Sequence, residues 1–223
     1  MKILVIAPHP DDEVLGCGGT IKKYSKRGDE VYLCLVTKAY TPDWSKKFLE
    51  SRKKEIPKAG KILGIKETFF LDLPSVRLDT VPQKKLNDLI SDCVNRVKPE
   101  LVFIPHGGDI NKDHRLVFEA SMVAIRPKPG CPVKKALCYE VLSGTDWSAS
   151  FPKKEGVFVP NVYIDILKNL KGKLRAMACY KTELKKYPHP RSLKAISILA
   201  EKRGLEAGLK LAEAFMLIRD ILK

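Results

Sequence analysis

The chain has 223 residues, 44% of them hydrophobic and 30% charged, enough for one generous domain with a real core and too apolar for a disordered polymer. Its 14 Gly and 15 Pro are ordinary for this length and exclude a collagen-like or Pro/Gly-dominated chain. Lys and Arg number 41 against 26 Asp and Glu, a net charge of +15, and residues 151–223 hold 16 of the basic groups against 7 acidic ones. A solvated lysine surface is the expectation, and a basic nucleic-acid-binding module is its rival, since charge alone licenses only non-specific attraction.

In chain order, residues 2–7 predict a strand and 13–27 a helix, closed by Gly28 in the position that glycine favours after a last turn. A second strand is expected at 31–37, then a basic helix at 44–63 that Pro57 must kink or split, because proline removes one helical hydrogen bond. A third strand follows at 67–71, and Pro82 opens a helix running to about 97. Residues 101–104 form a fourth strand leading into a polar loop, and another helix begins near His114. After a proline-rich stretch come two strands near 135–141 and 162–166, then long helices from about 168 to the end. Strand-length apolar runs alternating with amphipathic segments predict an α/β fold, a doubly wound, mostly parallel sheet flanked by helices with small C-terminal β and helical additions. The longest apolar runs, Ile3–Ala7 and Val31–Val36, are far too short to span a membrane, and no secretory leader precedes the first, so a cytoplasmic protein is expected. Six cysteines without a C-x-x-C pair read as reduced thiols.

With the common strand order 3-2-1-4-5, the loops after strands one and four meet in one crevice at the carboxyl edge of the sheet. These loops are the most polar in the chain. The first reads His9-Pro10-Asp11-Asp12-Glu13, an imidazole and three carboxylates whose mutual repulsion calls for a cation. Acidic residues also suit the first turn of a helix through its dipole, which is the plainer explanation of that motif alone. His9 and Asp12 share one side of a turn, and Asp113-His114 in the second loop supplies a further ligand. Two histidines and one carboxylate with an open position for water are the ligand set of a catalytic zinc site. Asp11, not needed as a ligand, is then placed to accept a proton from water made acidic by the cation. Gly16, Gly18 and Gly19 lack dinucleotide-loop spacing and follow an acidic motif that repels pyrophosphate.

The His9–Glu13 motif directly after the first strand, followed by Leu15-Gly-Cys-Gly-Gly19, closely resembles the PIG-L/LmbE-like family of metal-dependent N-deacetylases. The resemblance extends to Arg52 and Glu55, Gly107 through Arg115, Arg126-Pro127, Tyr180, Pro188-His-Pro-Arg-Ser192, Arg203-Gly204 and Ala212 through Phe215. It implies a Rossmann-like single domain over residues 1–223 that removes the acetyl group from an N-acetylglucosamine-type sugar or glycoconjugate. It also implies Zn2+ or another divalent ion on His9, Asp12 and His114, Asp11 as general base, Asp113 orienting a ligand imidazole, and a homo-oligomer, trimer or hexamer. Many members have His-Pro-Asp-His where this chain has Asn111-Lys-Asp-His114. Asn111 can donate a hydrogen bond to an oxyanion but cannot transfer a proton. Protonation of the leaving amine is therefore expected from His189 or from Asp11 returning its proton, with His106, near the start of the second loop, a lesser candidate. Arg52, whose forked donors suit sugar oxygens, is the expected substrate contact, against the simpler reading of a pair with Glu55. A hydrolase of another amide or ester on the same scaffold is the alternative activity.

Overall fold

The computed structural model describes residues 1–148 and 156–222. In chain order the elements are β1 (Lys2–Ala7), α1 (Asp12–Lys26), β2 (Glu30–Lys38), α2 (Lys46–Leu63) and β3 (Ile65–Pro74). A single 3-10 turn (Leu78–Thr80) leads into α3 (Gln83–Val97), β4 (Leu101–Pro105), α4 (Lys112–Ala124) and β5 (Lys135–Tyr139). Then come β6 (Val162–Asp165), α5 (Leu170–Met177), α6 (Leu193–Leu205) and β7 (Ala212–Asp220). The described strands form one sheet in the order β3-β2-β1-β4-β5-β7-β6, in which the first five run parallel and β7 is antiparallel to both of its neighbours.

Alternate side chains of the central strands point to opposite faces, as the two-residue period of a strand requires. Ile3, Val5, Leu33, Leu35 and Phe103 pack under α1, α2, α5 and α6, whereas Leu4, Ile6, Cys34, Val102 and Ile104 pack under α3 and α4. Because both faces are covered, β1, β2 and β4 read in the sequence as continuous apolar runs. No helix of the described residues is long and apolar enough to cross a membrane.

Two expectations are corrected. Pro57 neither splits nor ends α2, because it lies on the exposed face, where the carbonyl freed by its missing N–H meets solvent. The long helices expected to the end of the chain stop at Leu205, and residues 212–220 are strand β7. Ala, Glu, Met and Leu favour helix, and the first half of β7, Ala212–Phe215, is buried on both faces, so no alternation marks it as a strand.

Helix α1 is broken at Cys17 (φ −141°, ψ 21°). The break leaves backbone groups without helical partners, and they are met from elsewhere. Glu213 of β7 accepts from the N–H of Gly19 (2.8 Å) and of Thr20 (2.7 Å), while Lys173 of α5 donates to the carbonyl of Leu15 (2.8 Å) and to Glu213 itself (2.6 Å). The glycines at the break follow from packing. A Cβ on Gly16 would stand 2.2 Å from the ring of Tyr139, and one on Gly19 would stand 2.8 Å from Ile166.

Candidate metal centre and active site

Strands β1 and β4 are neighbours, so the loops that follow them converge where the chain turns to opposite sides of the sheet. His9 and His114, 105 positions apart in the chain, face each other there, with Nδ1 of His9 3.2 Å from Nε2 of His114. The Oδ2 atom of Asp12 lies 3.2 Å from each of these nitrogens. Three ligand atoms thus mark a triangle with equal sides. Atoms about 2.0–2.1 Å from a tetrahedral cation stand about 3.3 Å from one another, so the triangle is one face of such a tetrahedron. Both Asp12 Oδ1 and Asp11 Oδ2 are buried without a hydrogen-bond partner among the described residues. Two imidazole nitrogens, a carboxylate oxygen and unpartnered buried oxygens beside them fit a divalent cation.

Each imidazole is fixed from behind. Nε2 of His9 lies 2.9 Å from Asp113 Oδ2, which also accepts from the N–H of Val76 (2.6 Å), and the N–H of Leu78 donates to Asp113 Oδ1 (3.3 Å). Nδ1 of His114 lies 3.1 Å from Asp109 Oδ2, and Asp109 Oδ1 accepts from the N–H of Asn111 (2.8 Å). Such partners orient the ring and make it a better ligand. The loop backbone is held too. Thr37 donates through Oγ to the carbonyl of Pro8 (2.7 Å), and Arg52 donates to that of Pro10 (3.1 Å).

Without a cation these charges perturb one another. Burial lowers the pKa of His114, but the carboxylates of Asp12 and Asp109 outweigh it and push the group up to about 10. Burial acts to raise Asp12, and the two histidines nevertheless hold it well below the usual carboxylate range. Asp11 is pushed by burial up to about 8, against the pull of Arg191, whose Nη1 is 3.4 Å from Asp11 Oδ2. Asp11 caps α1 in the left-handed region (φ 114°), which a short polar side chain tolerates best, and its carboxylate makes no capping bond. The neighbouring Glu13 is buried and closed off, accepting from the Tyr180 hydroxyl (2.6 Å) and the N–H of Asp11 (3.0 Å).

A cavity of about 360 Å³ opens over this edge, lined among others by Val76, Ile110, Asn111, Asp113, His114 and Arg191. Of the residues singled out from the sequence, His9, Asp11, Asp12, Asn111, Asp113 and His114 are brought together here. Asn111 caps α4, its Oδ1 accepting from the N–H of Asp113 (3.0 Å). Arg52 is not at the cavity: besides Pro10 it binds Glu183, and its guanidinium lies over the rings of Phe48 and Tyr180. The simpler pairing with Glu55 is loose, at 4.0 Å, because that carboxylate accepts from Thr182 instead. His189 is half-buried against Trp147, its Nδ1 accepting from the N–H of Arg191 (3.0 Å), and it does not line the cavity. His106 is buried and bonded to the carbonyl of Gly156 (2.9 Å).

Two residues of the site were missed from the sequence. Asp109 lies in the polar loop between β4 and α4, the helix that carries His114, which was signal enough to consider it. Arg191 lies in the Pro188–Ser192 motif that carries part of the resemblance, but its approach to Asp11 from a distant segment is not readable from neighbouring residues.

A doubly wound sheet carrying a His-Asp-His cluster at the point where strand order reverses defines a class of proteins with a cation site at the carboxyl edge of β1 and β4. The profile of the PIG-L family, described as GlcNAc-PI de-N-acetylase, matches residues 4–125, and the chain belongs to that family. It is similar to an uncharacterized deacetylase of Escherichia coli, YaiS, at 33% identity over 57% of this chain and 69% of that protein. It is also similar to the diacetylchitobiose deacetylase of Thermococcus kodakarensis, at 28% identity over 82% of this chain and 70% of that protein. Among solved structures, the conserved protein TT1542 of Thermus thermophilus superposes with a TM-score of 0.78 at 26% identity, over 99% of this chain and 96% of that one.

Proposed function

We propose that the protein is a metal-dependent amidohydrolase that removes the acetyl group from an N-acetylglucosamine-type sugar or glycoconjugate. The observation that carries this reading is the triangle of His9 Nδ1, Asp12 Oδ2 and His114 Nε2 beside a buried carboxylate, Asp11, that takes no part in it. His9, Asp12 and His114 would hold the ion, Zn2+ by the donor set, with other divalent ions accepted by the same atoms. When bound, the ion supplies Lewis acidity toward water and the amide carbonyl. Asp11, buried beside the triangle without being part of it, would accept the proton of the attacking water. Asp113 and Asp109 keep the two imidazoles in the tautomers that present Nδ1 of His9 and Nε2 of His114 to the ion. Asn111, at the cavity wall, is placed to donate to the developing oxyanion.

Protonation of the leaving amine falls to Asp11, because its carboxylate lies 3.4 Å from Arg191 of the cavity wall, whereas His189 does not line the cavity. His189 as the acid is the rival assignment. The sugar is argued from the relatives named above and from the polar wall of the cavity.

The test is metal analysis of the purified protein together with amine release from a panel of N-acetylglucosamine derivatives. Asp11→Asn is expected to retain metal and lose about 10²–10⁴-fold in kcat, because loss of a general base costs that much. Full metal occupancy with no amine from any member of the panel would sink the reading. An unimpaired His189→Ala enzyme leaves Asp11 in both roles, whereas a fall in its kcat at unchanged metal content moves the acid role to His189.

A further inference from the structure

The cavity has a polar wall and an apolar lip. Asn111, Asp113, Ser143 and Arg191 supply the wall, while Val76 and Ile110 line the same cavity with 64% and 57% of their surfaces exposed. Both side chains are more exposed than buried in the free protein. Both are nevertheless held in place by carboxylates of the metal centre. The N–H of Val76 is bound by Asp113, and Ile110 sits between Asp109 and Asn111, which are bonded to each other.

Val76 is also strained. Its φ is 62°, in the left-handed region, where a β-branched side chain is a genuine outlier and glycine or asparagine would cost less. Among the described residues nothing rewards an apolar, branched, exposed side chain in this conformation. A partner that covers it does, and the cavity it lines reaches His114 of the triangle.

We propose that Val76 and Ile110 form an aglycone subsite that takes an apolar group attached to the amino sugar, an alkyl, aryl or acyl chain, outside the polar pocket that holds the N-acetyl end. This rests on the deacetylase reading for the identity of the sugar, but not for the existence of the subsite. Each methylene buried between the two side chains is expected to lower KM by about fourfold, the transfer energy of one CH2 group, with kcat little changed, because the contact is the same in ground and transition states.

The experiment compares methyl, propyl and hexyl β-glycosides of N-acetylglucosamine with the wild-type protein and with Val76→Asn and Ile110→Ser. The asparagine variant keeps a residue that tolerates the left-handed backbone while removing the apolar surface. The ratio of kcat/KM for the hexyl to the methyl glycoside cancels any general loss of activity. It is expected to be at least about tenfold in the wild type, from burial of two or more methylenes, and to fall toward unity in both variants. A flat series in the wild type, or the same ratio in all three proteins, overturns the proposal. A second readout, titration of the protein with hexyl β-glucoside followed by NMR of the Ile and Val methyl groups, needs no acetyl group and no chemistry. If no N-acetylated glycoside is cleaved and the methyl signals of Val76 and Ile110 still shift, the deacetylase reading fails and the subsite stands. If those signals do not move, the subsite fails whatever the enzyme cleaves.

Discussion

Two groups of buried charge lie along α1, one at its first turn and one at its break. At the first turn, Asp12 faces two imidazoles that also face each other, and one oxygen each of Asp11 and Asp12 has no hydrogen-bond partner among the described residues. At the break, both oxygens of Glu213 are occupied, and Lys173 bridges that carboxylate to the carbonyl of Leu15. Side chains at both places are almost wholly buried, so burial does not distinguish them. Satisfaction does. A folded protein leaves few buried polar atoms unpaired, so the open cluster is where a further charge belongs, and the closed one holds architecture.

The sharpest way to break this comparison is to open the closed cluster. Lys173→Met leaves Glu213 charged and uncompensated in the core, and a loss of about 3–5 kcal/mol in unfolding free energy is expected, measured by urea denaturation. Combining it with Glu213→Gln should recover part of that loss, since no lone charge then remains. Closing the open cluster works in the other direction. A divalent cation at a hundredfold excess over its dissociation constant is expected to stabilise the metal-free protein by about 2.7 kcal/mol. His114→Ala should gain nothing. Lys173→Met should gain the same increment as the wild type to within about 0.5 kcal/mol if the two clusters are independent. A Lys173→Met protein that folds but is no longer stabilised by metal would show that the break in α1 positions the ligands. The smallest effect is expected behind the ligands. Asp109→Asn should weaken metal affinity by about 10–100-fold, read by competition with a chelator, because His114 loses the carboxylate that orients it.

The open cluster was legible in the sequence and the closed one was not, for a physical reason. His9, Asp11 and Asp12 crowd like charges into one loop, and Asp113-His114 repeats the pattern after another strand, so local density announced the cluster. The strand order 3-2-1-4-5 could be read as well, because β1, β2 and β4 are buried on both faces and appear as apolar runs. Lys173 and Glu213 are single charges in segments of good helix formers, and each is explained only by the other. Reading Ala212–Phe215 as helix followed from the same isolation, because the partner that makes a strand of it is β6, from which α5 and α6 separate it in the chain. Arg52 shows the converse error. Its donors suit a sugar, but the carbonyl of Pro10 and the carboxylate of Glu183 use them first.

The placing of β7 also orders events in time. This strand is hydrogen-bonded on both sides, between β5 and β6, and it carries Glu213 to N–H groups 194 and 193 positions earlier in the chain. No local folding event can supply those bonds, and contacts of such separation carry the largest loop-closure cost and form late. Until β7 docks, the second half of α1 has donors that only water can meet, while β1, β2 and β4 can already pair through nearer contacts. The helix that begins the candidate cation site therefore lies 194 positions before the side chain that seals it.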